Sequence, residues 1–213
     1  MTDRTLAERV GLYSLLRVLY TYPLTESLLA EVAGLSLPPG SPLYEDLLKL
    51  QASTDVEQLN VEMTRLFEGP GLTPAPPYAS YYLHNKQLMG PAAVRAQHTY
   101  LLWQAWPESE QRVPADHIAL ELGFMAFLAE VALQSEADRA KALAASYQFL
   151  TDHIMPWLPH FGRAVTRSAQ ISFFDDLVSF TQTAVHSDLE RLTAFHNANP
   201  QSASSSQTPN HGG

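Results

Sequence analysis

Cysteine is absent from this chain of 213 residues. That removes disulfides, thiol nucleophiles, iron–sulfur ligation and cysteine zinc sites together, and it fits a reducing compartment. Basic charge is scarce: 13 Lys and Arg stand against 22 Asp and Glu, for a net charge of −9. A chain this acidic repels nucleic acid and attracts basic peptides. The acid is uneven, with seven acidic residues and one Lys from Glu26 to Glu62, and seven and one Arg from Glu108 to Asp138. Apolar runs long enough to span a membrane are also missing. Asp3 and Glu8 precede the first apolar run and Arg17 breaks it, so the N-terminus reads as an amphipathic helix, not a secretory signal or membrane span. Strand signals are almost absent, and there is no repeat at a fixed period.

What is present is helical periodicity on a chain 46% hydrophobic, enough for a sizeable core. Leu6, Val10, Tyr13, Leu16/Arg17 and Tyr20 recur at three- and four-residue spacing until Pro23 ends the helix. Thr25 caps a second helix ending near Gly34, and Ser41-Pro42 opens a third. Thr54-x-x-Glu57 reads as a capping box for a fourth, with Val56, Leu59, Met63, Leu66 and Phe67 on one stripe. The segment from Gly69 to Tyr78 holds four prolines and two glycines, which predicts an ordered loop or polyproline-like stretch. A fifth helix is expected over about 91–105 and a sixth over about 115–133. The sixth is apolar on most sides and therefore central. Ser135 caps a seventh that Pro156 bends or ends near Trp157. A short segment and a long helix over about 170–196 close the domain, and a polar tail from Asn197 reads as disordered.

Three places carry candidate chemistry. Arg65-Leu66-Phe67-Glu68-Gly69-Pro70-Gly71 and Pro76-Pro77-Tyr78-Ala79-Ser80 form no phosphate loop, because no Lys-Ser/Thr opens a helix after a strand. Their plainest reading is a rigid connection anchored by its aromatics. In Pro114-Ala115-Asp116-His117-Ile118, Asp116 is placed to cap the first turn of the central helix. His117 and Glu121 share a face four residues apart, and Glu121 is the only charge between Ile118 and Ala129. A carboxylate there requires a partner, either a buried arginine or a ligand at a cleft wall. His153 to His160, with Trp157 between them, lacks the spacing of a helical metal pair and reads as a packed helix end. No nucleophile–base arrangement stands out.

Taken together, Arg65 to Pro70, Pro76 to Ser80, Pro114 to His117 and His153 to Pro159 resemble the TorD/DmsD family of molybdoenzyme maturation chaperones, over about residues 8 to 195. The resemblance implies an all-α single domain, a helical bundle of about nine to eleven helices spanning residues 1–196. It implies a cytoplasmic chaperone, not an enzyme and with no cofactor of its own. Such a chaperone binds the apo form of a molybdenum-containing oxidoreductase, its twin-arginine leader, or both, until the cofactor is inserted. The leader-binding positions it implies are Met63, Leu66, Phe67, Pro76, Pro77, Tyr78, Asp116 and His117, with Tyr22, and the site is taken to include Ser80 and Glu121. Val113 and Gly123 depart from the family pattern, which favours Glu at the first and a larger or acidic residue at the second. The expected mechanism has Asp116, helped by Glu121, receiving a leader arginine, with His117 making release depend on pH. The expected partners are the apo-enzyme and its leader, without nucleic acid or stable membrane insertion, for a monomer or dimer. Two other readings stay open: an adaptor that recognises only the folded partner core, and a metal- or cofactor-handling protein using His117, Glu121, His153 and His160.

Overall fold

The computed structural model of the chain describes residues 1–21, 23–28, 56–68, 73–105 and 113–198. Tyr22, Thr54, the end of the second helix, the whole third helix and the tail from residue 199 lie outside them. Among the described residues the architecture is all-α, with a single isolated β-bridge.

Helix α1 (Asp3–Leu19) starts where the Thr2 hydroxyl accepts the Thr5 N–H at 3.3 Å, with Asp3 in its first turn and Arg17 in its last. Both charges oppose the local end of the helix dipole. Its buried stripe runs Leu6, Arg9, Tyr13, Leu16 and Tyr20. Arg9 therefore occupies the inner position that spacing assigns to Val10, and the reason is a partner 179 residues away. Its Nε donates to both Asp188 oxygens, at 2.8 and 3.1 Å, and the Tyr13 hydroxyl donates to Oδ2 at 2.8 Å.

Thr25 accepts the Leu28 N–H at 3.2 Å, so the second helix starts where the sequence places it. Helix α2 (Val56–Met63) continues as a π-helical turn, Thr64–Glu68. The wider turn lets the consecutive Leu66 and Phe67 both face inward. A short helix α3 (Ala79–Leu83) follows, then α4 (Pro91–Leu102), which has its proline at the start, where the missing N–H is no loss.

The centre is α5 (Ile118–Gln134), which packs along α1. The two approach closely at Gly123, where a Cβ would stand 3.1 Å from the Arg17 side chain. The departure from the family pattern at Gly123 thus makes room for Arg17. Ser135 caps α6 (Glu136–Phe149) by accepting the Asp138 N–H at 3.1 Å, as its sequence position predicts. A second π turn, Leu150–Ile154, closes with Met155 N–H donating to the Leu150 carbonyl at 2.9 Å, immediately before Pro156 removes the next donor. The stretch expected as a short segment is an eleven-residue helix, α7 (Leu158–Ser168). It packs on the long α8 (Ser172–Ala198), which runs past His196.

The core holds a ring cluster. Phe67 meets Phe161 at 5.8 Å and Phe174 edge-on at 5.6 Å, while Tyr82 stacks on Trp157 at 5.8 Å. Such pairs add about 0.5–1.5 kcal/mol each beyond area burial. No described helix is long and apolar enough to cross a membrane.

Candidate functional site

Main-chain pairing builds the site. The Ile118 N–H donates to the Pro77 carbonyl at 2.9 Å, and the Ala79 N–H donates to the Asp116 carbonyl at 3.0 Å. These two bonds frame the antiparallel bridge between Tyr78 and His117. Two motifs 39 residues apart in the chain are thereby held edge to edge. The proline pair at 76 and 77 supports this arrangement, because fixed φ favours an extended segment that needs no donors of its own.

The Asp116 carboxylate adds a third tie. Its Oδ2 accepts the Ser80 N–H at 2.6 Å, within the first turn of α3. Asp116 therefore caps a helix, but it is α3 and not the central helix. His117 caps α5 instead, its Nδ1 accepting the Ala119 N–H at 3.1 Å. Asp116 is fully buried, and its other oxygen, Oδ1, has no partner among the described residues. A buried anionic oxygen without a donor is costly, and a ligand donor would relieve it.

Tyr78 stands next to this carboxylate in the bridge. It lies half-buried and edge-on to His117, 5.1 Å between centroids. Burial, then the charges of Glu68 and Asp116, raise its phenol above the usual range. Both carboxylates therefore act on one exposed-edge tyrosine, with Glu68 on the surface at the end of the π turn. Glu68 was legible as part of the Arg65-to-Pro70 motif. Its relation to Tyr78 depends on the fold and not on a local motif.

His117 is a neutral group here. Burial lowers its pKa to about 4, and with Nδ1 accepting, its proton sits on Nε2. The expected pH-dependent release through His117 does not fit this environment, since the ring has no charge to gain above about pH 5. Glu121 also differs from expectation. Its Oε2 accepts the Trp157 indole N–H at 3.0 Å, with no arginine on it among the described residues. Burial raises its pKa well above the usual carboxylate value, offset in part by Trp157 and reinforced by the charge of Asp116. Burial thus favours the neutral acid form of Glu121.

The remaining expected residues divide by depth. Pro76 and Pro77 are buried beneath Tyr78, and Ser80 is fully enclosed, its hydroxyl accepting the Gly90 N–H at 3.0 Å. Met63, Leu66 and Phe67 lie in the core, each at most 4% exposed. They form the wall behind the site. Arg65 fastens that wall: its Nε and Nη2 grip Glu62 at 2.6 and 2.7 Å, and Nη2 also donates to the Ser168 carbonyl. Glu62 in turn accepts the Gln170 N–H at 2.7 Å. The histidines of the metal reading are dispersed. His153 stacks on Phe149 at 4.4 Å, His160 bonds Arg163 at 2.9 Å, and among the described residues no three His, Asp or Glu converge as metal ligands.

The candidate site thus consists of the Tyr78–His117 bridge, the buried Asp116 carboxylate beside it in the chain pairing, and core residues of the α2 π turn, on an all-helical frame. The fold is shared with a crystal structure described as a redox enzyme maturation protein of Archaeoglobus fulgidus, at TM-score 0.52 and 23% identity, covering 87% of this chain and 93% of that one. The nitrate reductase delta subunit family model matches residues 36–163, and the chain belongs to that family, among the TorD-type maturation chaperones. Relatives named chaperone protein TorD include one from Aliivibrio salmonicida, 27% identical over 71% of this chain and 73% of its own length. Another, from Vibrio cholerae, is 33% identical over 59% of this chain and 58% of its own length. A third, from Salmonella bongori, is 27% identical over 78% and 77%.

Proposed function

We propose that this chain is a cytoplasmic chaperone that holds the apo form of a molybdenum-containing oxidoreductase by its twin-arginine leader until the cofactor is inserted. The observation that carries this reading is the buried, unpartnered Asp116 Oδ1 next to the Tyr78–His117 bridge, with the charges of Asp116 and Glu68 both felt at Tyr78. A leader arginine supplies what that oxygen lacks: several N–H donors and a delocalised charge that stacks on an aromatic face. A charge-assisted bond of this kind contributes about 1.5–3 kcal/mol. The apolar stretch that follows the arginines lies against Tyr78. The wall of Met63, Leu66, Phe67, Pro76 and Pro77 fixes the shape of the site without needing to touch the leader. The net charge of −9 speeds capture of a basic segment and makes it salt-sensitive. Asp116 is fully buried in the free chain, so the residues around it must move for the guanidinium to reach it.

Calorimetric titration with a synthetic twin-arginine leader, beside a Lys-Lys version, tests this directly. Binding that prefers Arg-Arg, weakens with salt and falls about tenfold in Asp116→Asn and Glu68→Gln supports it. Asparagine keeps an oxygen for the Ser80 N–H, so the melting temperature should hold. Absence of leader binding, with capture of the apo-enzyme retained, would replace this reading with that of an adaptor for the partner core.

A further inference from the structure

The large apolar side chains left exposed are not scattered. Of the six among the described residues, five fall within residues 88–102: Leu88, Met89, Val94, Leu101 and Leu102, between 53% and 74% exposed. Val94 and Leu101 are two turns apart on one face of α4, and Leu88 and Met89 lie in the loop that enters it. Single exposed apolar residues are ordinary, whereas a concentration on one helix and its entry loop marks a contact surface.

Charge singles out the same segment. Between Glu68 and Glu108 the chain has no acidic residue, while Lys86 and Arg95 carry positive charge, on a protein of net −9. Both cations are exposed, as is His98 between Val94 and Leu101. At the far end of α4, Lys141 Nζ lies 5.0 Å over the Trp103 ring. The patch is therefore apolar with a basic rim, opposite in sign to the site at Asp116.

The loop is also fixed in place. Asn85, Lys86 and Met89 all adopt left-handed backbone, at φ 50°, 62° and 57°. None is glycine, so each holds a conformation that its Cβ disfavours. Three main-chain N–H groups hold the loop: Lys86 to the Tyr81 carbonyl at 3.0 Å, Gln87 to the His84 carbonyl at 3.0 Å, and Gly90 to the Ser80 hydroxyl at 3.0 Å. A Cβ at position 90 would stand 3.2 Å from that hydroxyl, so glycine seats the loop against Ser80. Leu88 and Met89 are thus presented in a set geometry, which spares a partner the entropy of ordering them.

We infer that residues 86–102 form a second docking surface, for a polypeptide segment that carries leucine-like side chains flanked by carboxylates. The leader does not suit it, since Lys86 and Arg95 repel a basic peptide. An anionic membrane is disfavoured as well, because two or three cations cannot offset the repulsion of an otherwise acidic chain. The inference does not depend on the leader reading.

The test uses the full chain and three labelled helical peptides of about five turns: leucines at helical spacing with glutamates between, the same with lysines, and the glutamate peptide with serine for leucine. Fluorescence anisotropy should show the Glu-Leu peptide binding about tenfold or more tightly than either control, with salt weakening it. The double variants Lys86→Glu/Arg95→Glu and Val94→Ser/Leu101→Ser change only exposed side chains, and each should weaken it about tenfold with the melting temperature kept. No binding of the Glu-Leu peptide, equal binding of the Lys-Leu peptide, or indifference to both variants overturns the inference. So does self-association, or capture on phosphatidylglycerol vesicles, that Val94→Ser/Leu101→Ser abolishes in place of peptide binding.

Discussion

Removing Arg9 alone should damage this fold more than removing Arg9 and Asp188 together. Both side chains are 1% exposed, and Arg9 Nε lies 2.8 Å from Asp188 Oδ1. Arg9→Leu would leave Asp188 buried with only the Tyr13 hydroxyl on it, at 2.8 Å. Breaking a buried pair from one side costs about 3–5 kcal/mol, because the survivor is an uncompensated charge. For a domain of this size that is roughly a 6–20 °C fall in melting temperature. The guanidinium is itself incompletely used: Nη1 and Nη2 are buried and have no partner among the described residues. The pair is thus far from ideal, and its desolvation is poorly offset. The double variant Arg9→Leu/Asp188→Leu should consequently recover part of the loss, ending about 1–3 kcal/mol below the parent because the buried Tyr13 hydroxyl loses its acceptor. Chemical denaturation of the parent, both single variants and the double variant gives the coupling energy. A coupling below about 0.5 kcal/mol, or a double variant as unstable as the sum of the singles, would refute the reasoning.

Two further predictions follow from the protonation of the site. Burial favours the neutral acid form of Glu121, so Glu121→Gln should keep the bond to Trp157 and change stability by less than about 1 kcal/mol at pH 5, whereas Glu121→Ala should cost about 2–4 kcal/mol. Its folded pKa lies above the unfolded value of 4.5, so the parent binds the proton more tightly when folded. That contribution is complete below pH 4.5 and is lost as pH rises towards the folded pKa, so Glu121→Gln should gain on the parent between pH 5 and 8; a constant difference in midpoint denaturant concentration would sink this. The depressed His117 and His153, both at about 4 against 6.5, have the opposite sign: they stabilise fully above 6.5 and lose that as pH falls towards 4. Leader affinity should therefore be flat from pH 6 to 8 when followed by anisotropy, and a tenfold change across that range would contradict a neutral His117.

Where a helix was legible in the sequence, its signals were local. Thr25 and Ser135 sit at their helix starts because a hydroxyl three residues before an amide needs nothing from the rest of the chain. What escaped depends on distant partners. Helix α3 is five residues long and takes its cap from Asp116, 36 residues on. Helix α7 is obscured in the sequence because Pro156 ends the preceding helix and nothing local marks a new start, although Pro159 occupies a first-turn position where its missing N–H costs nothing. Spacing put Val10 inside α1, but Asp188 on α8 draws Arg9 there. In the site, the two motifs and Asp116 were visible as residues. Their pairing, the exchange of caps between Asp116 and His117, and the Trp157 bond to Glu121 all required the fold.

Ser80 belongs to both surfaces. Its amide is held by Asp116 and its hydroxyl holds Gly90, so a single fully enclosed residue connects the acidic site to the loop that displays Leu88 and Met89. A guanidinium that pulls Asp116 towards solvent loosens or tightens Ser80, and through it the seat of that loop. Linkage runs equally in both directions, so a segment bound at residues 86–102 would alter leader affinity by the same factor by which the leader alters its own. A two-bond relay of this kind would couple the two proposed sites through one enclosed residue.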